Sequence, residues 1–289
     1  MRLVLSNVHT PYLYSLCRIG IPILSLLEVP TDWQRWNSAE RPKPSNLSEI
    51  HVTEYKKERG DIFIAQTPSQ INFFKRFSGP KVYIEHNRQM GVRYHYAPRD
   101  FYTVFVGEHV KETWIPSHNR WSVIEVGIPD EFFEYNGRNK EVLSVVHHWQ
   151  ERDWCCRFSL WRRVTQNLPV RIVGKNPFSK PAKDWNELRR IYAESRVYFH
   201  TTISFTCMAL REALVSGMPV VTTLQNIPFE NEKEILVGRN EIELREKLLQ
   251  TLDNLELCKE IGKNARRKAL SLFNIDTFVS KWREVLEAL

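Results

Sequence analysis

Residues 196–223 read RVYFHTTISFTCMALREALVSGMPVVTT. The apolar run Val197–Phe199 stops at small polar residues. A helical pattern follows, with Met208, Leu210, Ala213 and Leu214 available for one buried face. Ser216-Gly217 ends the helix, and Pro219 bars its continuation because proline lacks the amide a helix needs. A β-branched run, Val220–Thr223, starts at once. Strand, polar loop, helix, glycine stop and strand form a right-handed βαβ unit of a parallel sheet. Within it, Glu212 is a mid-helix carboxylate among apolar neighbours, downstream of a helix N-terminus rich in Ser and Thr. Such N-termini bind phosphate through unpaired amides. A carboxylate two turns along reaches ribose hydroxyls. A solvated glutamate on a structural βαβ unit would look the same locally.

Outward from this stretch, strands and helices alternate. In the first half, strands are predicted at Leu3–Asn7, Ile21–Leu27, Asp61–Ala65, Lys81–Glu85, Tyr102–Val106 and Ser122–Val126. Helices are predicted at Tyr12–Arg18, Ser69–Phe77 and near Glu108–Trp114. Residues 30–48, with Pro30, Pro42 and Pro44, read as a surface loop. In the second half, Val142–Val146 and Val170–Val173 read as strands. Arg157–Gln166, Trp185–Glu194, Asn240–Leu252, Leu257–Leu272 and Ile275–Leu289 read as helices, and Asn136–Asn139 reads as a linker. This alternation predicts parallel sheets with helices on both faces, and ligands at strand carboxyl ends.

The 289 residues suggest about two domains. The composition, 26% charged and 42% hydrophobic, is ordinary for a soluble globular protein. No apolar run reaches the roughly 20 residues that span a bilayer. The start, MRLVLSNVHTPY, lacks the apolar core and cleavage site of a signal peptide. Five cysteines, with Cys155 and Cys156 adjacent, show no metal spacing, so free thiols in a reducing compartment are expected. The expected location is cytoplasmic, with peripheral contact at a membrane surface left open. The net charge of +7 admits nucleic acid, an anionic membrane or anionic small ligands. No recognition helix, zinc motif or RNA-binding aromatic motif is visible, which disfavours nucleic acid.

The segment MALREALVSGMPVVTT resembles the donor-site segment of retaining glycosyltransferases of the GT-B fold, the "glycosyl transferases group 1" family. The matching residues are Glu212, Ala213, Ser216, Gly217, Pro219, Val220 and Val221. VIEVGIPDEFF (123–133) resembles the family's interdomain segment, and residues 240–286 resemble its closing helices. The resemblance implies an α/β chain of two Rossmann-like domains facing across a cleft. They would be an acceptor-side domain over 1–135, a nucleotide-sugar donor domain over 136–275, and a last helix over 276–289 that crosses back to the first domain. The implied activity is transfer of a sugar from a nucleotide-diphosphate-sugar to an unidentified glycan, lipid or protein acceptor, with retention, without metal and without a cofactor. A nucleotide-sugar-binding homologue or subunit without catalysis is the alternative.

The same resemblance implies the site residues. Glu212 would accept ribose hydroxyls. Thr206, Cys207 and Met208 would open the helix and offer its amides to phosphate, unless Ser204 or Thr206 simply caps it. The family's Arg and Lys for the diphosphate are replaced in VVHHWQERDW (145–154): His148 takes the Arg place, and Arg152 is the nearest cation for the Lys. Gly174 and Lys175 end a strand of the donor domain, where Lys175 would neutralise phosphate, although the turn alone explains the glycine. His200 ends the strand before Glu212 and faces either the cleft or the core. At the reacting centre, His86 follows a strand of the first domain, and Ser204 stands eight positions before Glu212, where many members have a first glutamate. A surface arginine, a loop histidine and a polar turn are the ordinary readings of Arg152, His86 and Lys175. His147 and His148 have no partner at metal-ligand spacing, so no metal site is predicted. The first strand is followed by Asn7-Val8-His9-Thr10-Pro11, where the family has a glycine-rich loop.

Overall fold

The computed structural model describes residues 1–29, 35–89 and 97–289. The chain divides into two compact units, Met1–Pro129 with Asn274–Leu289, and Asp130–Phe273.

The first unit contains β1 (Arg2–Leu5), α1 (Thr10–Cys17), β2 (Ile23–Leu27), β3 (Leu47–His51), β4 (Asp61–Ala65), α2 (Pro68–Phe74), β5 (Lys81–Glu85), β6 (Phe101–Phe105), α3 (Glu108–Lys111) and β7 (Trp121–Val123). The strands form one parallel sheet in the order β3-β2-β1-β4-β5-β6-β7. Every residue of β4 and β5 is buried. Continuous apolar runs are what strands covered on both faces require. Phe63, Phe74 and Phe101 pack in the core.

The surface-loop reading of residues 30–48 is corrected at its end, and residues 30–34 lie outside the described residues. The chain pairs as β3 from Leu47, in register with Ile23 of β2. Only Leu47 of this edge strand is buried, so LSEIH carries too little apolar signal to read as a strand. Strand β2 starts at Ile23 rather than Ile21. Pro22 has no amide to donate, but its carbonyl accepts from Leu3 N at 2.9 Å. Helix α2 starts earlier than expected because Thr67 caps it, accepting from Gln70 N, with Pro68 in the first turn.

The second unit contains β8 (Asn139–Val145), α4 (Asp153–Cys156), α5 (Phe158–Val164), β9 (Val170–Val173), α6 (Trp185–Glu194), β10 (Ser195–His200), α7 (Met208–Ser216), β11 (Val220–Thr222), β12 (Leu236–Val237), α8 (Glu241–Asp253) and α9 (Leu255–Leu272). Its sheet is also parallel, ordered β12-β11-β10-β8-β9. The helix expected over Arg157–Gln166 is α5, which runs from Phe158 to Val164; Arg157, left-handed at φ 52°, lies outside it and separates it from α4. The expected linker Asn136–Asn139 is tied into this unit. Asn136 N and Gly137 N both donate to Ala193 O, and Asn139 already belongs to β8. The core holds Trp149, Trp161, Val142 and Phe199. The last helix, α10 (Ile275–Glu287), belongs to the first unit, where Trp282 and Phe278 are buried and Phe278 meets the Tyr12 ring edge-on.

Helix α7 ends at Gly217, left-handed at φ 81°, and α9 crosses it at Gly262. A Cβ on Gly262 would lie 1.9 Å from the Gly217 carbonyl oxygen. Backbone cannot yield as a side chain does, so α9 would have to move. We expect Gly262→Ala to lower stability by roughly 1–3 kcal/mol, the cost of overpacking. This should hold despite the ~1 kcal/mol that alanine gains over glycine in a helix. Urea unfolding of both proteins checks this, and a stabilised variant would refute it.

Candidate functional site

Strand order in the second unit reverses beside β8: β9 lies on one side, and β10 and β11 on the other. Connections leave the two sides in opposite senses, so a crevice opens at the carboxyl ends of β8 and β10. Around it lie the segments that follow β8, β9 and β10.

Helix α7 starts at this point, at Met208 rather than at Thr206 as expected. Helices α6, α8, α9 and α10 are capped by the side chains of Asp184, Asn240, Asn254 and Asn274. The N-cap of α7 is Cys207, whose side chain carries no oxygen. Ser204 and Thr206, the expected caps, are bonded to each other at 2.5 Å between hydroxyl oxygens, and Ser204 Oγ also accepts from Thr206 N. The amides of Leu210 and Ala209 bond the Cys207 sulfur instead, a weak acceptor that leaves the positive end of the helix dipole without an oxygen cap.

Glu212 is only 3% exposed, so it is not a surface charge. One carboxylate oxygen accepts from the Tyr192 hydroxyl at 3.1 Å. Burial pushes the Cys207 thiol up, with Glu212 adding to the shift and Arg152 opposing it. A carboxylate and a guanidinium thus lie within electrostatic reach of the start of α7.

His200 is 2% exposed at the end of β10, and burial pushes its pKa down to about 4. Its ring is bonded to the backbone of Ser204 and Thr202 and lies against Tyr198, while Nε2 has no partner among the described residues. Arg152 is exposed and sits at the N-cap of α4, with Nη1 3.4 Å from the His147 carbonyl oxygen. His148, left-handed at φ 51°, turns its ring outward to Glu151 at 2.9 Å. Gly174 has φ 145°, and a Cβ there would lie 2.0 Å from Val146 O, so close approach of the loops after β8 and β9 requires glycine. Lys175 has an exposed side chain; its amide donates to His147 Nδ1 and its carbonyl accepts from His148 N. Burial, reinforced by His148, Arg152 and Lys175, pushes the His147 pKa down.

Two further residues of this unit escaped the sequence reading. Asn176 clasps the two loops: Oδ1 accepts from Trp149 N, and Nδ2 donates to Val146 O and Ser179 Oγ. Only its place in a Gly-Lys-Asn-Pro turn hinted at it. Arg157 donates to Thr223 Oγ1 at 3.3 Å, just past the end of β11. Its unfavourable backbone conformation has no sequence signal in an arginine.

The first unit reverses between β1 and β4. There His86, half-buried after β5, bonds through Nε2 to Gln66 Oε1 at 3.1 Å and stacks on His9 at 6.1 Å. Burial, aided by His9, pushes the His86 pKa down to about 3. His9 and Gln66 are distant from His86 in sequence, and only strand order brings them together. Among the described residues, no group of three or more His, Cys, Asp or Glu side chains is placed to hold a metal ion. No helix there is long and apolar enough to cross a membrane.

Residues 152–284 match the family model described as glycosyl transferase-like. No curated protein matches by sequence. Anabaena HepE, solved in complex with UDP and glucose, superposes with a TM-score of 0.67 at 14% identity, covering 100% of this chain and 99% of that one. Sucrose-phosphate synthase of Thermosynechococcus elongatus gives a TM-score of 0.65 at 12% identity, with 100% of both chains covered. TarM is similar over 78% of this chain, with a TM-score of 0.58 at 13% identity, and the match spans only 54% of TarM. Two parallel Rossmann-like sheets and these superpositions define the fold as GT-B, and the part of the chain that matches the glycosyl transferase-like model is most of its second unit and of its last helix.

The buried His200 predicts a pH effect. Its unfolded pKa is near 6.5, and its folded pKa is about 4. Below about pH 6.5 the unfolded chain takes up a proton that the folded chain refuses. The contribution is therefore full at neutral pH and is lost as pH falls from about 6.5 towards 4. Unfolding free energies measured at several pH values across this window should fall less steeply with pH for His200→Gln than for wild type, by the contribution of one proton. Parallel profiles would show that His200 titrates normally.

Proposed function

We propose that this enzyme transfers a sugar from a UDP-sugar to a hydroxyl acceptor, with retention and without metal. HepE is solved in complex with UDP and glucose, and the reading carries UDP to this chain on the geometry of the second unit. The observation that carries the proposal is the start of α7 at the strand reversal, whose cap is a thiol and not an oxygen, with Arg152 and the buried Glu212 both in electrostatic reach of Cys207. In this reading the diphosphate lies on the amides after Cys207. Arg152 neutralises it, and Arg157 and Lys175 add positive charge at neighbouring strand ends. Oriented amides and cations stabilise charge on a leaving diphosphate without reorganising. The His200 Nε2 faces a ligand group rather than solvent. Glu212 accepts ribose hydroxyls.

The acceptor binds to the first unit at the His9–Gln66–His86 cluster, where a neutral imidazole held by an amide orients a hydroxyl. Ser204 takes the place of the family's first glutamate and supplies no charge there. The work left to the protein is positioning and leaving-group stabilisation. A TarM variant of S. aureus is solved with fondaparinux, alpha-GlcNAc-glycerol and UDP, and a glycan or lipid hydroxyl is the acceptor class we assign.

Titration of uridine, UMP and UDP against wild type and Arg152→Ala tests the phosphate contact. Affinity should fall most for UDP and least for uridine, because an arginine–phosphate bond is charge-assisted. Equal losses would remove Arg152 from the site. Glu212→Gln keeps the shape and removes the charge. Since a hydrogen bond to a charged group contributes about 1.5–3 kcal/mol, UDP affinity should fall roughly 10- to 100-fold. A 2′,3′-dideoxy analogue should bind both proteins alike. Normal UDP binding by a folded Glu212→Gln protein would make the glutamate structural.

A further inference from the structure

Cys155 and Cys156 are consecutive in the single turn of α4, with their sulfurs 3.6 Å apart. Cys155 is half-buried and Cys156 is buried. The backbone carbonyls of this pair hold the two segments of the donor crevice together. Cys155 O accepts from Ile203 N at 3.0 Å. Cys156 O accepts from Thr201 Oγ1 at 2.6 Å and from Trp149 Nε1 at 2.9 Å. The segment 201–207, which leads into α7, is therefore pinned to the thiol-bearing turn.

We propose that Cys155 and Cys156 form a redox-sensitive dithiol whose closure to a disulfide releases the segment leading into α7. The chemistry needs a peroxide as oxidant. Peroxide oxidises the more accessible Cys155 thiol to a sulfenic acid and leaves as water. The Cys156 sulfur then attacks, the S–S bond forms, and a second water carries off the hydroxyl and the remaining proton. Two thiols lose two hydrogens and two electrons, and the peroxide becomes two waters.

Closure cannot leave α4 as it is. Consecutive Cα atoms are 3.80 Å apart, whereas ordinary disulfides span about 4.4–6.8 Å between Cα atoms. The peptide joining the two cysteines must rotate, and its carbonyl, Cys155 O, is the one that holds Ile203. A four-residue helix offers little resistance to unwinding. The strained bond is easily reduced, as a reversible device requires. The consequence for donor affinity rests on the function proposed above; the release of the segment does not.

The test oxidises the full-length protein with hydrogen peroxide and follows three readouts. Peptide mass mapping should show the 152–157 segment lighter by two hydrogens, restored by dithiothreitol. Hydrogen exchange should show the Ile203 amide losing protection on oxidation. UDP affinity should fall about tenfold, the effect of losing one or two hydrogen bonds. Cys155→Ser and Cys156→Ala should each be indifferent to peroxide in the last two readouts, and Cys155→Ser should bind UDP like the reduced wild type. Oxidation that stops at sulfinic acid, joins a different pair, or closes the ring with Ile203 still protected would overturn the proposal. If the reduced protein fails to bind UDP, the donor reading falls, and mass and exchange still decide the dithiol.

Discussion

The second unit depends on β10 returning to lie beside β8 on the side away from β9. That reversal is held from within. The Trp161 indole donates to Ser144 Oγ, and Ser144 Oγ donates to the Phe199 carbonyl, which joins β8 to β10 beneath the crevice. Because the flanking connections diverge, the loops above the crevice cannot pack on each other by default. Asn176 and the close approach at Gly174 hold one pair of them, and the carbonyls of Cys155 and Cys156 hold the other. The start of α7, capped by a thiol in place of the usual oxygen, follows the segment that the second pair of ties holds.

The βαβ unit at 196–223 was legible because its signals agree. Two β-branched runs, an apolar helical face, a glycine in the left-handed region and a proline that blocks elongation all point the same way. The resemblance built on it reached the fold. Strands β3 and β12 were not legible. One is a half-polar edge strand and the other is two residues long, so neither carries a period. The break between α4 and α5 was also hidden, since nothing in an arginine announces positive φ. Among candidate site residues, Glu212 stood out as a charge in an apolar helix. Its burial against Tyr192 was beyond reach, because that partner lies on a different helix.

Where the family that the donor segment resembles has a glycine-rich loop after the first strand, this chain has Asn7-Val8-His9-Thr10-Pro11, and polar side chains build the turn. Asn7 Nδ2 donates to Thr10 Oγ1, Asn7 Oδ1 accepts from His9 N, and His9 Nδ1 accepts from Tyr12 N at the start of α1. Short polar side chains mimic backbone turns in this way. The exchange also brings an imidazole to the strand reversal of the first unit, stacked on His86. A backbone-only loop would have put nothing there.

Helix α10 gives the chain an order of assembly. The core of the first unit includes Phe278 and Trp282, both essentially fully buried, and Arg283 Nη2 donates to Ile19 O. During synthesis the strands of this unit emerge early, but the side chains that complete its core leave the ribosome only after the whole second unit. The second unit, continuous from Asp130 to Phe273, can fold as soon as it has emerged. The first must wait with part of its apolar surface uncovered. Vectorial synthesis therefore exposes the earlier-made unit to aggregation for longer than the later one, and ribosome stalling anywhere in α8 or α9 would leave its core incomplete.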